Sequence, residues 1–290
     1  MRKSWLSFLR NRTLTRVTFY AGLMGLFAAL PVIKVEILGL GRYTDIPSDV
    51  HAALTLVLGW LLVFRTNTSY ARWWEARTLW GSLVNISRNM AIKVADLVKA
   101  DDAELIKFQT EIIAYAYGLK DHLRDDASLQ KLSGFEDCPD QPCHLPSYLV
   151  TRMYEEMGSW RDNGFIDSMV LRVLDEEARQ FLEICGGCER IKNTRIALSY
   201  RIFARQCVFL FLVTFPWGIV NSFHVWTIPL TMIVSYFMLG LETVAEHVEE
   251  PFGHDEDDLD LEDLCLTIET TVTEVFQRRL SRHDDPVVVQ

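Results

Sequence analysis

An all-α, polytopic membrane protein with four transmembrane helices and a cytoplasmic helical region is predicted by three observations. The apolar residues are gathered into three long runs free of Asp, Glu, Lys and Arg. Basic residues are concentrated on one side of those runs, whereas the loop from Lys34 to Asp49 is mixed and slightly acidic. The segments between them carry helical periodicity, with no β-alternation of useful length and no internal repeat.

The first run, Val17 to Ile33, holds 17 uncharged residues, and the second, Val50 to Phe64, holds 15. The third, Gln206 to Leu241, holds 36. A bilayer core of about 30 Å needs roughly 20 helical residues, so the third run is too long for one crossing and suits two. A turn is expected near Asn221–Trp226, with Pro229 in the first turn of the following helix and Pro216 kinking the preceding one. The expected spans are 17–38, 48–66, 204–223 and 227–245. A cleavable signal peptide is a poor reading of the first run, because Pro31-Val32-Ile33-Lys34-Val35-Glu36 stands where a polar cleavage region belongs.

Orientation follows from the flanks. Arg2, Lys3, Arg10, Arg12 and Arg16 precede the first span, Arg65, Arg72 and Arg77 follow the second, and Arg190, Lys192, Arg195, Arg201 and Arg205 precede the third. The positive-inside rule then puts both termini and the long middle segment in the cytoplasm.

Cytoplasmic helices are expected over 67–200 and 260–281. Leu79, Leu83, Ile86, Met90, Val94 and Leu97 recur at spacings of three and four, as do Leu105, Phe108, Ile112, Tyr115 and Leu119. The pattern breaks between Asp125 and Pro146, then returns at Tyr148–Met157 and Ile166–Ile184. Asp260 is placed to cap a last helix presenting Leu261, Leu264, Ile268, Val272, Val275 and Phe276.

The chain has a net charge of −10 from 29 basic and 39 acidic residues. Eleven acids lie between Glu242 and Asp263 with no Lys or Arg among them, leaving 29 basic against 28 acidic residues elsewhere. The acidity is therefore local, and no basic excess points to nucleic acid. No H-E-x-x-H, G-x-S-x-G, P-loop or G-x-G-x-x-G motif occurs, so no enzymatic activity is expected.

Two clusters carry other chemistry. Cys185-Gly186-Gly187-Cys188 is a C-x-x-C, and Cys138 with Cys143 would complete a four-thiolate zinc site, giving a competing reading as a membrane-anchored zinc or thiol-redox regulator. The Gly pair alternatively marks a helix end. The acidic stretch Glu249 to Asp258 suits either a hard cation or a solvated surface, and lacks EF-hand spacing.

The segment Arg65-Thr66-Asn67-Thr68-Ser69-Tyr70-Ala71-Arg72-Trp73-Trp74-Glu75, continuing through Trp80-Gly81 and Asn85-Ile86-Ser87-Arg88-Asn89, fits an interfacial aromatic belt. It also resembles the signature of the bestrophin family in its bacterial branch. Gly186-Gly187-Cys188-Glu189-Arg190-Ile191 and Glu250-Pro251-Phe252-Gly253 followed by acids agree in order and spacing, so the resemblance covers the whole chain as a single channel domain.

It implies a homopentamer in the lipid bilayer, with a five-fold pore conducting small monovalent ions, chloride by analogy with animal members and cations by analogy with some bacterial ones. No cofactor is required. The family's hydrophobic neck maps to Leu56, Trp60 and Phe64. Their i, i+4, i+8 spacing puts them on one helix face, which by itself also suits packing or lipid contact. The calcium clasp of animal members maps to the carboxylates of Asp255 and Asp258 and the carbonyl of Glu250. Where relatives read Thr-Pro-x-Pro, this chain has Thr194-Arg195-Ile196-Ala197, which adds a charge.

Overall fold

The structure, a computed structural model, describes residues 12–39, 48–255 and 257–284. Arg2, Lys3 and Arg10, residues 40–47, Glu256 and the tail after Asp284 lie outside the described residues. Eight α-helices and no strand occur among the described residues: α1 Arg12–Glu36, α2 Ser48–Leu97, α3 Asp102–Leu123, α4 Leu145–Asp162, α5 Ser168–Asn193, α6 Leu198–Phe223, α7 Thr227–Glu249 and α8 Leu261–Asp284. They divide into two compact units, one built from Met1–Trp73, Arg195–Pro251 and Asp255–Asp258, the other from Trp74–Thr194, Phe252–His254 and Leu259–Gln290.

Thr13–Glu36, Asp49–Leu97 and Leu198–Glu249 are helical stretches long and apolar enough to cross a membrane. The last is broken by a 3₁₀ turn at His224–Trp226, in the region where the sequence places a turn, and Pro229 sits in the first turn of α7. His224 takes a positive φ of 49°. Its Nδ1 lies 2.6 Å from Glu36 Oε1, tying the turn to the end of α1. Helices α1 and α7 pack through small residues. A Cβ at Gly25 would meet Met232 Cγ at 2.2 Å, and Thr227, Thr231 and Ser235 form a buried stripe on α7.

The second unit packs most of the apolar stripes expected from the sequence, although Leu97 of α2 is exposed and Leu79 only half-buried. Leu83, Ile86, Met90 and Val94 of α2, and Leu105, Phe108, Ile112, Tyr115 and Leu119 of α3, are all buried. Phe108 meets Trp160 of α4 at 4.8 Å between ring centroids, and Tyr115 meets Phe181 of α5 at 4.8 Å, edge to face. Asp260 caps α8 by accepting a hydrogen bond from Asp263 N–H at 3.0 Å. The buried face of α8 runs through Leu261, Cys265, Ile268, Val272 and Phe276.

Helix α2 runs unbroken from Ser48 to Leu97, so the second expected span continues as helix beyond residue 66. One expectation is corrected. The Gly186-Gly187 pair does not end a helix, since α5 continues to Asn193. Gly187 is small for a packing reason: a Cβ there would approach Leu79 Cδ1 to 2.9 Å.

Candidate functional site: an exposed apolar face on α2

The first half of α2 buries one stripe and leaves the rest of its circumference open. His51, Leu58, Leu62, Arg65 and Ser69 form the buried stripe, and Leu58 and Leu62 pack with Val208, Phe211 and Leu212 of α6. Leu56, Trp60 and Phe64 lie on the open side, 67%, 64% and 58% exposed. The Trp60 and Phe64 rings are 5.8 Å apart, so consecutive turns of this face touch. Beside them an apolar groove of about 350 Å³ runs between α2 and α6, lined by Leu54, Val57, Phe203 and Leu210 as well as Trp60 and Phe64.

This face is held in place by polar groups behind it. Arg65, next to Phe64, is fully buried and paired with Glu242 of α7. Arg205 donates from Nε to Glu242 Oε1 at 3.1 Å and also pairs with Glu246. Removing a charge from an apolar interior is costly unless a partner meets it, so this cluster fixes the rotation of α2 against α6 and α7. The Tyr200 hydroxyl adds a bond to the Leu61 carbonyl at 3.3 Å.

The signature residues act as clamps. Arg72 Nε donates to the Glu249 carbonyl at 3.3 Å, and Trp73 Nε1 donates to the Asp257 carbonyl at 3.1 Å, which secures the end of α7 and the acidic turn. In the second unit Glu75 pairs with Arg190 of the Gly-Gly-Cys-Glu-Arg motif. Trp74 is exposed, whereas Phe252 is buried and its carbonyl accepts from Arg124 Nε at 3.3 Å. Arg195 pairs with Glu250 at 2.7 Å. The neighbouring Ile196 N–H donates to Glu249 Oε1 at 3.1 Å. Arg195 is thereby committed to an intrachain pair at the start of α6.

The acidic turn is partly occupied with its own backbone. Asp258 Oδ2 accepts from Asp255 N–H at 2.6 Å, and the carboxylate of Glu250 is drawn to Arg195. Burial, with the neighbouring Asp255 and Asp257 charges, pushes the Asp258 carboxyl up to about 6, against the hydrogen bond from Asp255 N–H and the pull of His247. Its Oδ1 is buried without a donor. That one oxygen suits a cation, but the exposed Asp255 carboxylate is not gathered with it into a ligand group among the described residues.

The four-thiolate reading fails on geometry and on protonation. Cys138, Cys143, Cys185 and Cys188 are not gathered at ligand distance. Cys185 and Cys188 are buried in the body of α5, where burial, reinforced by Glu189, pushes the Cys185 thiol up to about 12 and that of Cys188 higher still. Thiols held protonated are poor nucleophiles. The group that is gathered is His122, His144 and Glu189. Sequence reasoning missed it because its members come from three separate elements, and only the position of Glu189 in the Gly-Gly-Cys-Glu-Arg motif hinted at it.

Comparison with known proteins agrees with this architecture. Residues 2–274 match the family described as Bacterial/Fungal Bestrophin protein. A voltage-dependent anion channel-forming protein of Synechocystis sp. is 32% identical over 252 residues, covering 82% of this chain and 81% of that one. The voltage-dependent anion channel-forming protein YneE of Escherichia coli K12 is 31% identical over 234 residues, covering 79% and 75%. Among solved structures, a point variant of a bacterial bestrophin homologue from Klebsiella pneumoniae superposes with a TM-score of 0.83 at 24% identity. That match covers 90% of this chain and 99% of the other, a likeness of fold. With the signature clamps, the apolar spans and the family match in agreement, the chain belongs to the bacterial and fungal bestrophin family.

Proposed function

We propose that the protein is a homopentameric channel for small monovalent anions, with Leu56, Trp60 and Phe64 forming a hydrophobic neck on the five-fold axis. The observation that carries this reading is the open apolar face of α2, in which three large side chains at successive helical turns are each more than half exposed. Five copies facing a common axis would stack three apolar rings about 6 Å apart. Such a constriction excludes water and ions until it widens, a gate by dewetting. Trp60 sets the narrowest ring by its bulk.

Anion selectivity is supported by the names of the relatives, which are anion channel-forming proteins. The neck itself carries no charge. Helices α1, α2, α6 and α7 make four crossings of a bacterial inner membrane, with both termini on the cytoplasmic side where the basic flanks lie. Conduction in this reading needs no cofactor and no catalytic group.

The test is ion flux from proteoliposomes under opposed salt gradients. Trp60→Ala is expected to raise flux severalfold, with Leu56→Ala and Phe64→Ala raising it less, and the reversal potential should follow the chloride gradient. Unchanged flux in all three variants would remove the neck from Leu56, Trp60 and Phe64. A reversal potential that follows sodium or potassium would leave the neck in place and make the channel cation-selective.

A further inference from the structure

The second unit holds a ligand cluster that conduction does not use. His122 lies in the last turn of α3, His144 is the N-cap of α4, and Glu189 lies on α5. Both imidazoles approach the same carboxylate oxygen, His122 Nε2 at 2.7 Å and His144 Nε2 at 2.8 Å from Glu189 Oε1. The three ligand atoms lie within 4.8 Å of one another, and the rings meet edge to face at 4.7 Å. All three side chains are partly buried. We propose that His122 Nε2, His144 Nε2 and the Glu189 carboxylate bind one divalent transition-metal ion of the zinc class, with water in the fourth position.

The chemistry of the set selects the ion. Two imidazoles and one carboxylate suit zinc, cobalt or nickel, whereas calcium and magnesium take oxygen ligands. Tetrahedral ligands about 2.0 Å from zinc stand roughly 3.3 Å apart, so the present contacts need to open by only about half an ångström. A glutamate carboxylate is negatively charged at neutral pH.

Binding has a structural consequence. His144 Nδ1 accepts the Ser147 N–H at 3.1 Å and caps α4. A neutral ring that accepts at Nδ1 carries its proton on Nε2, where it donates to Glu189. Coordination at Nε2 moves that proton to Nδ1, a tautomer change without proton loss, and releases the cap. Metal occupancy is thus coupled to the first turn of α4. Because His122 and His144 stand at the two ends of the Cys-containing loop, the ion would also fasten both ends of that loop to α5.

The test uses full-length protein in detergent, stripped with a chelator and titrated with Co2+, then with Zn2+. One Co2+ per chain is expected, with the visible absorption of a four-coordinate site, displaced by Zn2+. Two variants isolate the ligands from the fold. Glu189→Gln keeps an acceptor for both rings, and His144→Asn keeps a capping side chain. Each should weaken Co2+ binding by about 100-fold or more, beyond the usual loss of an outer-shell partner, while leaving the metal-free melting temperature near that of the parent. Absence of saturable Co2+ binding would overturn the assignment. So would equal affinity in both variants, or a near-ultraviolet sulfur-to-cobalt band, which would put the ion on the cysteines. None of these readouts depends on ion flux.

Discussion

The two halves of α2 use one helical repeat to opposite ends. At Leu56, Trp60 and Phe64 the large apolar side chains are turned outward, whereas Leu83, Ile86, Met90 and Val94 are all 5% exposed or less. In water, a contiguous apolar surface of that kind marks an interaction site, and burial of the second set supplies the stability of its unit. In a bilayer the penalty for outward apolar groups vanishes, and polar groups must instead be satisfied inside. The difference extends to buried charge. Glu242 of the first unit is met by Arg65 and Arg205, while Glu111 of the second has only Arg152 Nε at 3.7 Å.

The largest effect should come from breaking the membrane pair. Glu242→Gln leaves Arg65 buried without its counter-charge, which costs about 3–5 kcal/mol where such pairs have been broken in protein interiors. The melting temperature of the detergent-solubilised protein should fall accordingly. Replacing both partners by apolar residues, Arg65→Met with Glu242→Leu, should recover most of the loss. An unchanged midpoint in the single variant would show that the pair is not what anchors α2.

The proposed neck half and the core half of α2 can then be separated directly. Leu83→Ala should cost about 2–5 kcal/mol and leave flux per folded protein unaltered. Trp60→Ala should change flux and cost less than about 1 kcal/mol, because its side chain fills no packed site within the chain. If Trp60→Ala destabilised the isolated protomer as Leu83→Ala does, its side chain would be part of a core and the contrast would disappear.

Much of this architecture is legible in the chain itself. The uncharged runs, the apolar stripes of α2, α3 and α8, the Asp260 cap and the turn at His224 follow from local physics, because each depends on residues within a few positions. What was not legible depends on distant partners. The Gly187 contact requires Leu79, which belongs to another helix, so the glycine pair reads equally well as a helix stop. The His122–His144–Glu189 cluster needs α3, α4 and α5 to be packed before it exists. The proposed neck is intermediate: spacing puts Leu56, Trp60 and Phe64 on one face, but the surroundings of that face are not a local property.

Buried carboxylates sharpen the comparison through pH. Glu111 is 1% exposed and neither oxygen has a hydrogen-bond partner. Burial foremost, then the Glu156 charge, pushes its carboxyl from 4.5 up to about 7 against the pull of Arg152 and Lys107. A carboxyl raised on folding binds its proton more tightly in the native state, so its contribution is full below about pH 4.5 and is lost as pH rises through 7. The whole effect amounts to at most about 3 kcal/mol. Glu111→Gln mimics the protonated form and should match the parent at pH 4. At pH 8 it should be the more stable by about 1–3 kcal/mol, as read from denaturant unfolding of the second unit by a local probe. A stability difference that stays constant across this range would mean that Glu111 keeps its charge and that Arg152 does for it what Arg65 does for Glu242.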